Sequence, residues 1–541
     1  MQEEKLKSNN KAAPTVQLCA EEHCQRPVHL NEDTCILHCR KDKWPGDPSE
    51  EEYQRQFYEA FCSYLYRECA KIIKVDAPVS EFSLETIEKI LAGRSTPATA
   101  RLKEIVNESI LEVEGLSFPN LDSGYKIHLA QRLMNFYGVH LLHCNFYMQD
   151  FGHQNTKIHF DQCTFCCDWF IRPVEILVNP LEAIYCDCDF RKDVLIVHLG
   201  EGDIDGPLFS DCSFEGDLNI SGSTFSDELF LNSSDVDAEL HSLQISGCTF
   251  LNRFALNNCK TLLVAAFTDT EFKGKVEFKE NRVEKIRVYN TNFLKLADFY
   301  KSQFLFFDAR KSIFDDFAAF EECEFGLDYS GAESSKLSKN QDSKAVFRHV
   351  TFLSFINFRN TKFFGGLSLE DANLKEAPNF LNAEIFGDDT KRETYRIIKD
   401  SFDSIGNHIE ANKYFAFEMK KYKEEVTKNG TWREKLILSM NEKISAFGQN
   451  YVRPIWLMML LALIYYGLVL GQQDNWLYKI LPTDGESIDW IFTHVNGWAR
   501  HLGPFSKFLH EGMEFFSLII HVAFGILIWQ TVVAVKRLTR R

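Results

Sequence analysis

Large apolar residues recur through the middle of the chain at alternating steps of five and six. Between 347 and 385 they fall at Phe347, Phe352, Phe358, Phe363, Leu369, Leu374, Phe380 and Ile385; Phe293, Phe299, Phe304 and Phe314, Phe320, Phe325 repeat the alternation. An α-helix, with a period of about 3.6, and a flat strand, with a period of about 2, both fail to put one face at that spacing. A small residue travels with each large one. Cys144, Cys163, Cys188, Cys212, Cys248 and Cys323 stand two positions before a Phe, and Ser, Thr or Ala holds the same place before Phe225, Phe293, Phe304, Phe363 and Leu374. A chain that turns every five or six residues, with alternate residues inward, forms a narrow β-solenoid. The large side chain fills the axis and the small one lets the corner close.

Helical patterns flank the repeats. Residues 49–74 and 81–114 read as helices, and Tyr53, Phe57, Phe61 and Tyr64 share a face suited to capping an open solenoid end. Residues 391–426 carry the stripe Tyr395, Ile398, Phe402, Ile405 and Ile409, expected on one helix. In 432–447, Trp432, Leu436, Met440, Ile444 and Phe447 alternate with Arg433, Lys435 and Lys443, a helix equally suited to a membrane interface or to packing on a neighbour. Two apolar stretches near the C-terminus, about 455–471 and 515–535, are long enough to be transmembrane helices. Nine basic residues flank this pair, against three in the loop 472–514. That bias puts both termini on the cytoplasmic side of a bacterial-type inner membrane. The charged start Met1-Gln-Glu-Glu-Lys, which lacks an apolar run, agrees with that side.

The stretches Ala372-Asn373-Leu374 and Cys248-Thr249-Phe250 carry a resemblance to the pentapeptide-repeat family, whose unit is a small residue, any residue, then a central Leu or Phe. The resemblance implies a right-handed quadrilateral β-helix. The alternation of five and six departs from the family's five-residue faces and gives about 22 residues per coil. Roughly ten coils at about 4.8 Å make a rod about 50 Å long. The polar stretch Tyr329–Ala345 reads as a loop thrown out of the rod. Tyr395-Arg-Ile-Ile-Lys-Asp-Ser-Phe, Gly406-Asn-His and Ala411-Asn-Lys-Tyr resemble the segment after the repeats in membrane-anchored members of the family. The expected organisation is a Cys/His segment at 1–45, a helical cap region at 46–140, the β-helix at 141–388, a helical connector with an interfacial helix at 389–450, and a transmembrane hairpin at 451–541.

Cys19, Cys24, Cys35, His38 and Cys39 lie within 21 residues. The spacing Cys-x4-Cys-x10-Cys-x2-His supplies two close pairs of the N and S donors that tetrahedral zinc takes, with Cys39 as the alternative fourth ligand. The linker Gln25–Thr34 has no apolar periodicity, and so short a segment needs a metal to hold it together. A structural zinc is expected. The ending Cys35-Ile-Leu-His38 also resembles the short Cys/His cluster that often opens sequences of this family.

Composition narrows the function. The chain of 541 residues carries a net charge of −17, and 47 of its residues are Phe, the amount the repeat consumes. From 141 to 388 there are 23 Lys and Arg against 39 Asp and Glu, and 201–240 holds 11 acids and no base. No nucleic-acid binding is expected of so acidic a chain. The strip is either a solvated face or a docking surface for a basic protein partner. No phosphate loop, nucleophile elbow or His-Glu-x-x-His is present, so no enzyme is expected. Inside the spans His521 is the one ionisable group well away from the ends, a functional candidate by position, while Arg453 is expected to snorkel to the interface. The favoured function is a membrane-anchored interaction scaffold or sensor. A homo-oligomeric ion-conducting pore gated by the β-helix ranks second, and an acidic DNA-mimic inhibitor, implied only by the resemblance, ranks last.

Overall fold

The computed structural model describes residues 17–21, 24–29, 33–42, 50–76, 83–94, 96–97, 99–151, 157–171, 183–197, 204, 206–231, 239–328, 336–337, 343–386, 389–472, 487–502 and 510–539. Its centre is a β-solenoid of about nine coils with a spacing of about 22 residues. Four parallel sheets run along it. Phe250 pairs with Phe272, then Phe293, then Phe314, so successive coils differ by 22, 21 and 21 residues. Phe314 next pairs with Phe352, a step of 38, because the chain leaves the coil between them. The exit is marked by an antiparallel pairing of Leu327–Asp328 with Lys336–Leu337. The rest of the polar stretch expected to form a loop, 329–335 and 338–342, lies outside the described residues.

The register puts each Phe above its equivalent in the next coil. Phe118, Phe146, Phe165, Phe190 and Phe214 stack at 5.1, 4.9, 4.5 and 4.9 Å. Phe225, Phe250, Phe272, Phe293, Phe314 and Phe352 form a second ladder at 4.9, 5.0, 5.2, 4.5 and 4.9 Å. These spacings equal the distance between paired strands, so one backbone repeat sets both the hydrogen bonds and the ring stack. All of these rings are buried.

The corners have their own regularity. The residue before each small one has a left-handed backbone: His143, Gln162, Asp187, Asp211, Asn258, Asp269, Glu280, Asn290, Lys301, Lys311, Glu322, His349, Asn360, Asp371 and Asn382, all with φ between 49° and 60°. Gly222 and Gly247 take the same place with φ of 61° and 62°. Asn, Asp and Gly predominate because they enter this region at least cost. Where the side chain that follows is Cys, Ser or Thr it is also a donor, unlike Val350, Ala372 and Ala383. Cys144 Sγ lies 3.3 and 3.5 Å from the carbonyls of Leu142 and Val113, and Cys163 Sγ 3.4 and 3.3 Å from those of Asp161 and Leu141. One carbonyl belongs to the same corner and the other to the coil before. The sulfur or hydroxyl thus satisfies backbone groups that the turn takes out of the ladder.

Helices close both ends of the solenoid. α1 (Glu50–Asp76), α2 (Leu84–Leu91), α3 (Ala100–Glu108) and α4 (Ser123–Leu133) stand at the N-terminal end. Phe57 and Phe61 of α1 pack edge-on against Phe118, the first ring of its ladder, at 6.1 and 5.8 Å. The first strand is Ile110–Glu114, which pairs with Gly138–Leu142. The end of the stretch expected to be helical is therefore strand, and the solenoid begins upstream of 141. Alternate burial of Leu111 and Val113 explains it: a period of two overrides helix propensity once a neighbouring strand is present. At the other end stand α5 (Arg392–Ser404) and α6 (His408–Asn429). Thr390 and Thr394 Oγ1 accept from the amides of Leu367 and Leu369, each at 3.0 Å, and Tyr414 Oη donates to Ala383 O at 3.2 Å. The stripe expected on one helix breaks after Phe402. The chain turns at Gly406, with φ of 76°, and leaves Ile405 and Ile409 exposed.

α7 (Trp432–Ser445), α8 (Val452–Gly471), α9 (Ser487–Arg500) and α10 (Glu514–Thr539) follow. α8 and α10 are long and apolar enough to cross a membrane, and only 22% of the most apolar stretch of each is buried. A soluble hairpin core would be mostly covered. The two helices pack through Ala462, Tyr465, Val469, Ile520 and Phe524, and the Tyr465 and Ser517 hydroxyls share a hydrogen bond of 2.9 Å.

Candidate functional site: a cysteine and histidine cluster and a helical joint

Residues 17–42 fold around a short antiparallel bridge of Leu18 with Pro27. Hydrogen bonds from Cys19 N to Arg26 O (2.9 Å) and Val28 N to Gln17 O (3.0 Å) bring Cys19 and Cys24 to one end. A turn with His38 N and Cys39 N on Cys35 O, at 3.0 and 2.9 Å, brings Cys35 and His38 opposite them. The four ligand atoms of Cys19, Cys24, Cys35 and His38 lie within 4.8 Å of one another, a set able to hold a metal ion. Cys19 Sγ and Cys35 Sγ are each 3.4 Å from His38 Nδ1, and Cys24 Sγ is 3.8 Å from Cys35 Sγ. The Cys35 amide donates to Cys19 Sγ at 3.2 Å, the kind of outer contact that steadies a ligating sulfur. Cys39 is left out of the cluster. Its sulfur lies 3.0 Å from Lys41 Nζ.

Burial sets the charge states here. It pushes the Cys35 thiol up to about 12 and lowers His38. Cys35 and His38 therefore favour neutral thiol and neutral imidazole. A bound cation reverses the first preference by stabilising thiolate, and the second already suits a ligand. The module is tied to the solenoid: Ser117 N donates to Leu37 O at 2.7 Å, and Arg26 Nη2 donates to Ala60 O of α1 at 2.9 Å. Cys19, Cys35 and Leu37 belong to the same buried core as Phe57 and Phe118.

The second constellation lies where connector and hairpin meet. Asn412 of α6 donates to Arg537 O of α10 at 2.7 Å, and Gln449 donates to Asn412 O at 2.6 Å. Ser445 Oγ and Gln530 Oε1 are 2.9 Å apart. The Arg537 guanidinium donates to Phe447 O and stacks 4.2 Å over the Phe415 ring. Gly448, with φ of 83°, makes room for it; a Cβ there would fall 2.9 Å from Arg537 Nη1.

The two membrane candidates are apart from both constellations. His521 Nδ1 lies 2.7 Å from Ser517 O of its own helix, and its ring meets Tyr465 edge-on at 6.1 Å. Arg453 is exposed in the first turn of α8. The loop 472–514 holds more structure than its sequence suggested. Within it α9 packs along the middle of α8: Trp498 Nε1 donates to Met459 O at 3.1 Å, the Tyr466 hydroxyl and His494 Nδ1 are 2.8 Å apart, and Gly497 presses on the Tyr466 ring. The acidic run 201–240 is described only in part; 201–203, 205 and 232–238 lie outside the described residues. No family model matches the chain, and comparison with curated proteins and with solved structures gives no match.

Proposed function

We propose that this protein is a membrane-anchored interaction scaffold of the pentapeptide-repeat type, with a cytoplasmic β-helix that docks a protein partner. The observation that carries the reading is α6. One helix hydrogen-bonds the last coil through Tyr414 and the end of α10 through Asn412, so the rod and the apolar hairpin are linked by a rigid element rather than a tether. The axis is filled by stacked rings, which leaves recognition to the outer faces. The acidic run 201–240 carries charge complementary to a basic partner. The basic flanks of α8 and α10 support a cytoplasmic rod. On α7, Trp432, Leu436, Ile437 and Met440 are exposed beside Arg433 and Lys443, which suits a helix lying on the inner membrane surface. The cluster at 19–38 would hold a structural zinc. Zinc bonds of about 2.3 Å to sulfur and about 2.0 Å to nitrogen imply tetrahedral edges of about 3.8 and about 3.5 Å, close to those found.

A second reading, an oligomeric pore, is favoured by α9, because a helix packed against the middle of α8 would enter the bilayer from the outer side. Cross-linking in native membranes, with ion flux in liposomes, separates the two. The scaffold predicts a monomer or dimer without flux. Four or more subunits with flux would overturn it in favour of the pore.

A further inference from the structure

A cavity of about 520 Å³ lies between the connector and α10. Trp529 and Val532 line it on the apolar part of α10, Lys536 and Arg537 on its basic end, and Lys399, Asp403 and His408 from α5 and α6. Lys399 is engaged by Asp400 at 3.2 Å and Glu418 at 3.9 Å, and His408 by Asp403 at 3.1 Å. Lys536 and Arg537 have no carboxylate partner among the described residues. Arg537 spends one donor on Phe447 O, and the rest of its planar fork has no acceptor there. Two cations without counter-charge thus stand at one end of a cavity whose other end is apolar. A small inorganic anion would use only the first end. An amphipathic anion uses both.

We propose that this cavity is a headgroup site for an anionic phospholipid, with the phosphate against Lys536 and Arg537 and the acyl chains along Trp529 and Val532. The proposal rests on reading α8 and α10 as membrane spans. Arg offers a phosphate two parallel donors, and Lys adds a mobile point charge. A lipid held here touches α5 and α6 as well as α10, so it would couple the seating of the rod to the charge of the membrane.

The test uses the full chain in mild detergent, with phosphatidylglycerol or phosphatidylcholine added and retained lipid counted by native mass spectrometry. Phosphatidylglycerol should be retained in preference. Lys536→Gln should weaken that retention about fivefold, the effect of one cation at a lipid surface. Lys428→Gln, a charge outside the cavity, should leave it unchanged. Equal retention of the two lipids, no effect of Lys536→Gln, or displacement by inorganic phosphate as readily as by phosphatidylglycerol would overturn the proposal. If alkaline carbonate releases the protein from membranes without detergent, the membrane reading falls and the proposal with it. If the protein stays in the membrane and shows no lipid preference, only the proposal falls.

Discussion

At Thr291 the hydroxyl lies 3.1 Å from two carbonyls, Phe267 in the preceding coil and Tyr289 two residues back, and donates between them. Smallness alone does not explain the residue; valine is as small. Thr291→Val should cost about 1–3 kcal/mol by leaving buried carbonyls unsatisfied, whereas Thr291→Ser should stay within about 1 kcal/mol. Chemical denaturation of the detergent-solubilised chain, followed by circular dichroism, reads the difference, and equal losses would disprove the donor role. Glu277 offers a pH test. Burial by itself would raise its carboxyl, but hydrogen bonds from Arg253 and Lys275 and the charges of Arg253 and Lys279 bring it down to about 2. A folded value below the unfolded one stabilises above the unfolded pKa, near about 4.3, and that contribution is lost as pH falls toward 2. In Glu277→Gln the fall in stability between those limits should be shallower than in the parent. Parallel curves would show that the cluster around Arg253 contributes nothing.

Among the elements, the Phe ladders carry the solenoid. Phe293 stacks on Phe272 and Phe314 at 5.2 and 4.5 Å, so Phe293→Ala removes a ring from between two others. A loss of about 3–5 kcal/mol is expected. Limited proteolysis should then cut the flanking coils, because each coil is held mainly by its two neighbours. The Cys/His module behaves differently, since its own bridge and turn are small and the proposed metal would add four bonds to its contacts with the solenoid core. If the cluster holds zinc as proposed, Cys35→Ser should abolish zinc content measured by elemental analysis and open the segment around Cys19–Cys39 to protease. Intact zinc content in that variant would disprove the ligand set. Much of this was legible in sequence. The five-and-six steps reveal the coil, and the Cys/His spacing reveals the cluster. The left-handed corner was not read from the sequence: His, Gln, Glu and Lys share that place with Asn, Asp and Gly, and only the dihedral angles single it out.

For the whole molecule, the decisive question is what the apolar hairpin does. A side chain at Gly497 would fall 2.7 Å from the Tyr466 ring, so Gly497→Leu should part α9 from α8 without changing a residue of either apolar helix. If α9 contributes to a conducting path, flux in liposomes should drop several-fold while membrane insertion is unchanged. Flux equal to that of the parent would remove α9 from any such path. The solenoid should be indifferent to the change, because α6, rather than α9, joins it to the apolar helices.

The sequence by itself determined the period of the coil, the identity of its core residues, the two apolar helices and the four residues of the Cys/His cluster with their one rival. These follow from residue type and spacing, and both are local. Only the tertiary structure decided which of His38 and Cys39 enters the cluster, because that depends on Lys41 engaging the Cys39 sulfur. It also decided that the solenoid starts at Ile110, that the connector is two helices hinged at Gly406, and that α9 folds back along α8. Each depends on a partner distant in sequence: a neighbouring strand, the last coil, or a facing helix. No run of residues carries its partner's surface within itself.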